Sequence, residues 1–351
     1  MSSTREVTIY DIARALNISA STVSRGLKDH PHVRKEMKKK ILVTAGKMGY
    51  QQNKFASNLR QKQTFTIGVV IPRLDSYFMS SAISGMEKIA NDSGYNLIIS
   101  QSQELIKKES ACISTLFHTR VDGLMVSLSY ETKDLDHFNI VFKKNIPVVF
   151  FDRVFEHPKC RSVVINNYKA GYEATSHLIN QGCTNIIHMG GSLIRNVYAD
   201  RYNGFKQAMM DNGLEINDRS LMISDLSHGA GISMTKTLMQ NKKMPDGIFV
   251  ANDTTAVSVI CELRQAGVRI PEDICIIGFN DDPISRVVEP RLSTVHYPGR
   301  EMGEIATATL ISLLKGAQSE MLNSIVLSHE IIVRQSSLRK PENLSYGTQY
   351  S

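Results

Sequence analysis

No run of apolar residues approaches the ~18 needed to cross a bilayer, so the sequence offers no membrane-spanning helix. The opening "MSSTREVTIYDIA" has no apolar segment behind a basic start, so no secretory leader and a cytoplasmic location are expected. Cysteine is scarce. Cys112, Cys160, Cys183, Cys261 and Cys275 are odd in number, scattered and without a CxxC pair. That excludes a disulfide framework and a zinc site, and fits reduced thiols. Missing too are a nucleotide-binding GxGxxG, a phosphate-binding Walker loop, a nucleophile elbow and a metal-ligand cluster. No enzyme chemistry, no cofactor and no metal are therefore expected. The polar tail over 341–351 lacks heptads, so a homodimer is expected rather than a coiled-coil tetramer.

What is present divides unevenly. The 351 residues are 42% hydrophobic, enough for a sizeable core, and the length suits two or three domains. Net charge is +7, yet residues 1–63 hold 13 Lys/Arg against four Asp/Glu, which leaves the other 288 residues near −2. A small basic module on an almost neutral body points to a polyanion partner.

Within that module Ile9, Ile12, Ala13 and Leu16 fall at helical spacing. Thr8 is placed to cap them, with Asp11 standing in for the capping-box Glu. Asn17 suits a left-handed helix end and Ser19 an N-cap. In the second helix Val23 and Leu27 face one way, while Ala20, Ser21, Ser24, Arg25 and Lys28 are free to face another. Val33, Met37, Ile41, Ala45 and Met48 form the stripe of a third helix that ends at Gly49. The pattern is a helix-turn-helix. Small residues at the start of its second helix allow close approach to a major groove. Arg25 is the fork that can take guanine O6 and N7, a contact worth about 1–3 kcal/mol of discrimination.

The stretches "TIYDIARALNISASTVSRGLK" and "KKKILVTAGKMGYQQNKFASNLR" resemble the DNA-binding headpiece of the lactose-repressor/galactose-repressor (LacI/GalR) family. The resemblance puts Ala20, Ser21 and Arg25 at base-reading positions. It puts Thr8, Tyr10, Ser19, Thr22 and Ser24 where phosphate is touched or the helix framed. Lys28, His32 and Asn53 join the DNA-facing set. Departures occur at Asn17 (usually Gly), Lys28 (usually Asn), Arg34 (usually a hydroxyl cap) and Gln52 (usually Pro). In the family the following hinge becomes a helix on DNA and wedges a leucine into the minor groove, here Leu59.

From Thr64 the grammar changes to short β-branched runs alternating with helices, the signature of parallel sheets covered on both faces. Strands are expected at 66–71, 96–100, 123–128, 147–152, 162–165, 185–191, 247–253 and 274–281. Two such series imply two doubly wound lobes, with ligand at the carboxyl ends of the strands. The motifs "FFDR", "HMGGS", "RYNGF", "VANDTTA" and "IPEDICIIGFNDD" resemble the family's effector domain, built like periplasmic sugar-binding proteins. That resemblance implies a cleft lined by Tyr77, Phe78, Asp152, Asn166, Arg201, Asn252 and Asp281. Such a set suits a polyol: carboxylates and amides take hydroxyl pairs, and aromatics cover an apolar sugar face.

On the residues alone, several alternatives stay open. Asp152-Arg153 also reads as a buried ion pair or a lobe-hinge contact. Asn252-Asp253 also reads as a helix cap, Arg201 as a surface residue, and His188 as a core histidine. The expected organisation is a helix-turn-helix headpiece over 1–50, a hinge over 51–63 and a two-lobed α/β core over 64–340. Lobe one is drawn at about 64–165 plus 297–328, lobe two at about 166–296 plus 329–340. The expected function is regulation of transcription by a dimer on a near-palindromic operator, with a carbohydrate-like effector between the lobes. The competing readings are a transport solute-binding protein and an enzyme on an α/β scaffold.

Overall fold

The computed structural model describes residues 7–50, 63–241, 243–316 and 323–339. Its contacts divide the chain into two compact units, Met1–Thr64 and Phe65–Ser351.

In the first unit, α1 (Ile9–Leu16), α2 (Ala20–Leu27) and α3 (Lys35–Lys47) close around Ile12, Ala13, Val23, Val33, Ile41 and Ala45. Local chemistry sets each boundary. The Asp11 carboxylate accepts both the Thr8 backbone N–H (2.9 Å) and the Thr8 hydroxyl (2.7 Å). Asn17 sits left-handed at φ 51°, ψ 46° and turns the chain between α1 and α2. The Ser19 hydroxyl accepts the Thr22 N–H at 3.1 Å. Arg34, at the N-cap of α3, makes no side-chain cap bond, as its lack of a short hydroxyl leads one to expect.

Among the described residues the second unit carries three sheets. The strands are β1 (Thr66–Ile71), β2 (Asn96–Gln101), β3 (Gly123–Val126), β4 (Val148–Phe151), β5 (Cys160–Ile165), β6 (Ile186–Gly190), β7 (Leu221–Ile223), β8 (Gly247–Val250), β9 (Cys275–Ile277), β10 (Thr294–His296), β11 (Ser324–Leu327) and β12 (Glu330–Ile332). The first sheet is parallel throughout, in the order β11-β5-β4-β3-β1-β2. The second is also parallel, in the order β7-β6-β8-β9. A two-stranded antiparallel ladder of β10 and β12 forms the third.

The chain leaves the first sheet after β5, builds the second, returns through β10 to helix Gly299–Leu314 and β11, and crosses again through β12. Each lobe is therefore discontinuous in sequence. Helix Gly299–Leu314 packs along helix Tyr77–Asp92 so closely that a Cβ on Gly303 would lie 1.9 Å from the Ala82 carbonyl oxygen. One hydrophobic cluster joins Ile67, Phe151 and Val163 of the first sheet to Phe249, Ile277 and Phe279 of the second lobe.

The long alternating elements lie where the sequence pattern puts them. Among the pieces that escaped that pattern are β7, helix His228–Met239, the β10–β12 ladder and β11. The strands among them have three or four residues each, and the helix "HGAGISMTKTLM" carries two glycines near its start, so none offers a clear period.

Candidate functional site

The headpiece presents a compact polar surface on α2. Ser21 and Arg25, four residues apart, are both exposed on the side away from buried Val23 and Gly26. Lys28, just past the helix, is exposed, as are Tyr10, Ser19 and His32. The Ser19 hydroxyl also pairs with those of Ser21 and Thr22, each at 2.8 Å. Thr22 and Ser24 are half-buried. Two residues are less free than the sequence suggests. Ala20 packs against the headpiece core, and the Thr8 hydroxyl is engaged by Asp11. Asn53 and Leu59 lie outside the described residues, as does 51–62 of the expected hinge.

In the body, a cavity of about 270 Å³ opens at the carboxyl ends of the strands, between the two parallel sheets. It lies where doubly wound sheets place their ligands. Tyr77, Phe78, Asp152, Arg201 and Asn252 all line it. The Asp152 carboxylate accepts the Tyr297 hydroxyl at 2.7 Å and the Ser127 hydroxyl at 3.1 Å. Tyr297 in turn stacks on Phe78, ring centroids 4.3 Å apart. Burial first, then the Asp152 charge, pushes the Tyr297 phenol well above its usual range, so it stays a donor.

Arg201 is a buried residue, 3% exposed, and not a surface one. Its Nε donates to Asn167 Oδ1 (2.9 Å), its Nη1 to the Ala251 carbonyl (2.9 Å), and its guanidinium lies 3.5 Å over the Phe279 ring. Asn252 fills both roles left open for it: it caps helix Asp253–Gln265 through the Thr255 N–H (2.8 Å) and faces the cavity. His188 is a core histidine. It is fully buried among Phe249, Phe205 and Tyr202, and burial drives its pKa down to about 3.

Two expected residues are not brought to the cavity. Asn166 is exposed and its side chain caps helix Asn167–Asn180 through the Lys169 N–H (2.9 Å); its neighbour Asn167 turns inward to Arg201. Asp281 is drawn into an ion cluster with Arg334 (2.6 Å) and Arg286 (2.7 Å), with His296 at 3.7 Å. Asn280 and Asp282, on either side of it, line the cavity instead. At Asp281 the difference is a slip of one residue, where the backbone leaves β geometry: Asn280 has φ 116° and Asp281 φ 56°.

The sequence reading left Arg153 open as a buried ion pair or lobe-hinge contact and missed the polar wall it forms with Glu104, Tyr130 and Tyr198. Arg153 donates to both Glu104 oxygens (2.9 and 2.8 Å) and to the Tyr198 hydroxyl (3.1 Å), and lies 4.3 Å over the Tyr130 ring. Its contact with Asp152 is looser, Nε to Oδ2 at 3.9 Å. Tyr130 also donates to the Tyr198 hydroxyl at 3.1 Å, a contact between the lobes. One signal was available only in three dimensions: Glu104, Asp152, Leu226 and Asn280 all have positive φ and line this cleft. Backbone held in sparsely populated regions gathers at ligand sites. Among the described residues no three His, Cys, Asp or Glu side chains form a metal cluster, and no helix is long and apolar enough to cross a membrane.

Residues 8–53 match the model for bacterial regulatory proteins of the lacI family, and residues 175–337 match a periplasmic binding protein-like domain. Over 333 residues the chain is 32% identical to catabolite control protein A of Priestia megaterium, covering 94% of this chain and 99% of the relative. It is 29% identical to the transcriptional repressor PurR of Photobacterium profundum, covering 94% and 98%. The transcription regulator CcpA of Lactococcus lactis superposes with a TM-score of 0.72 at 27% identity, covering 78% of this chain and 98% of that one. A lac repressor dimer bound to operator and an anti-inducer gives 0.85 at 23% identity, covering 95% and 100%, a likeness of fold. Headpiece and body thus match together, in one chain and at full length. The protein belongs to the LacI family and is a DNA-binding transcriptional regulator, neither an enzyme nor a plain solute-binding protein.

Proposed function

We propose that the protein acts in the cytoplasm as a homodimer on a near-palindromic operator, and that a carbohydrate-sized polyol bound between the lobes modulates its DNA affinity. The observation that carries this reading is the cavity. It pairs Asp152, Asn252 and Arg201 with the aromatic faces of Phe78 and Tyr297 at the lobe junction. Its volume of about 270 Å³ is at the small end for ligand sites and favours a monosaccharide over a larger ligand.

On the DNA side, Ser21, Arg25 and Lys28 read bases. Tyr10, Ser19, Thr22, Ser24 and His32 meet the backbone, while Ala20 and Thr8 hold the helix in place. A single three-helix headpiece makes few base contacts, so two copies on a two-fold site supply the needed specificity. Leu59 is proposed as the hinge wedge. Ligand that favours one lobe arrangement then shifts the population competent to hold both headpieces on DNA.

The test is capture of genomic fragments by the full-length protein, sequenced with and without a panel of monosaccharides. The expected result is one enriched palindromic motif whose recovery changes with one sugar. Enrichment without a motif, or a motif that no sugar shifts while sugars bind the isolated body, would overturn the proposal.

A further inference from the structure

Two of the five cysteines meet at the opposite end of the second sheet from the ligand cavity. Cys183 follows helix Asn167–Asn180 and precedes β6, while Cys275 opens β9. They are 92 positions apart in sequence and converge on one backbone carbonyl. The Asp246 oxygen accepts the Cys183 thiol at 3.1 Å and the Cys275 backbone N–H at 2.9 Å. The residue between them in space is Gly247, in register with Cys275 across β8 and β9. A Cβ there would lie 3.1 Å from Cys183 Cβ and 3.2 Å from its Sγ, so glycine leaves the room in which the two side chains approach each other.

A cation sits on this pair. Arg339 Nη1 lies 3.6 Å from Cys183 Sγ, and the same guanidinium is fixed by the carbonyls of Pro271 (2.7 Å), Asp273 (2.9 Å) and Asp246 (3.1 Å). Its backbone N–H is held by Gln181 (2.9 Å). Hydrogen bonding to Cys183 holds the Cys275 thiol below its usual range against its burial, with Arg339 adding to the effect; contact with Cys275, then burial, pushes Cys183 up. A thiol more easily ionised beside a second that can attack it is the arrangement of a redox pair. Both sulfurs are covered, Cys183 at 1% and Cys275 at 0% exposure. Part of that cover is the short segment Gln335–Arg339, whose Ser337 carbonyl lies 3.6 Å from Cys275 Sγ.

We propose that Cys183 and Cys275 are an oxidisable dithiol, converted to an intramolecular disulfide by hydrogen peroxide when the covering segment opens. The Cys275 thiolate attacks one peroxide oxygen and breaks the O–O bond. That gives a sulfenic acid and, after protonation, one water. The Cys183 thiol then attacks the sulfenic sulfur, and its proton leaves with the departing hydroxyl as the second water. The two sulfurs lose two electrons in forming one S–S bond, and one peroxide becomes two waters. The disulfide would thus join the turn after helix Asn167–Asn180 covalently to β9, at the opposite end of the second sheet from the ligand cavity.

Exposed Cys261 is the internal control. The full-length protein is treated with hydrogen peroxide under native conditions, free thiols are capped with N-ethylmaleimide, and a non-reducing digest is read by mass spectrometry. The expected result is a 183–275 cross-link, two alkylatable thiols fewer, and full reversal by dithiothreitol. Cys183→Ser and Cys275→Ser should each abolish the cross-link and leave the remaining partner alkylatable or as a sulfenic acid. Should Cys261 oxidise while Cys183 and Cys275 stay alkylatable in the wild-type protein, the proposal is wrong. A cross-link between other cysteines overturns it equally, and the wild-type map decides even where a serine variant folds poorly.

Discussion

At the scale of single residues, charge and burial assign different tasks to similar side chains. Asp281 and Asp282 are adjacent. Despite its burial, His296, Arg286 and Arg334 hold the Asp281 carboxyl below the usual carboxylate range. Asp282 has no such partner, and burial pushes its pKa up to about 6 from 3.8. Its Oδ1 is buried without a hydrogen-bond partner. Between about pH 4 and 6 the folded state therefore holds more protons than the unfolded one. Stability from this group falls as pH rises through that window, and the full cost is present above it. Asp282→Asn should raise unfolding free energy by about 1–3 kcal/mol at pH 7.5 and have little effect at pH 4, as read by urea titration. An equal change at both pH values would sink this account. In the headpiece, Arg25→Ala should weaken binding at one base pair by about 1–3 kcal/mol and flatten selectivity there. An operator-variant profile that matches the wild type would remove Arg25 from the base-reading set.

Helices and strands carry different information from their residues. Helix Gly299–Leu314 reads as an ordinary amphipathic helix, yet its contact face is shaped by glycine. The Cβ that alanine would add at Gly303 meets the backbone of Ala82, which no side-chain rotation can relieve. Overpacking of this kind costs about 1–3 kcal/mol. Gly303→Ala should therefore lower the midpoint of denaturant unfolding, although alanine is the better helix former in isolation. A neutral or stabilising result would mean that the two helices slide apart freely. The recognition helix α2 shows the converse case. Its caps, its buried Val23 and its exposed Ser21 and Arg25 all follow from local spacing, and the structure has them where that spacing puts them.

For the whole molecule, the division at Thr64 matters most. The basic excess lies in the first unit, and the body is nearly neutral. Removal of residues 1–63 should abolish retention on DNA and leave the body's main thermal transition in place, measured by calorimetry. Retention of salt-sensitive DNA binding by the truncated body would contradict the charge argument. Loss of the transition would mean that the body depends on the headpiece to fold.

The sequence by itself determined the headpiece, the order of the long strands and helices, and the regulator reading. The headpiece and the element order rest on local periodicity, caps and charge, which act over a few residues and are written in consecutive positions; the regulator reading rests also on the resemblance to the LacI/GalR family. That resemblance also implied five of the residues that line the cavity: Tyr77, Phe78, Asp152, Arg201 and Asn252. Only the tertiary structure decided the others. Whether Asn166 or Asn167, and Asp281 or its neighbours, turns inward depends on strand ends that leave β geometry and on partners such as Arg201 and Arg334, distant in sequence. Arg153, Glu104, Tyr130 and Tyr198 come from four separate segments and acquire meaning only when one guanidinium joins them. The meeting of Cys183 with Cys275 was illegible for the same reason. Scattered cysteines give no pattern in one dimension, and it takes a parallel sheet with a glycine between them to bring two thiols together.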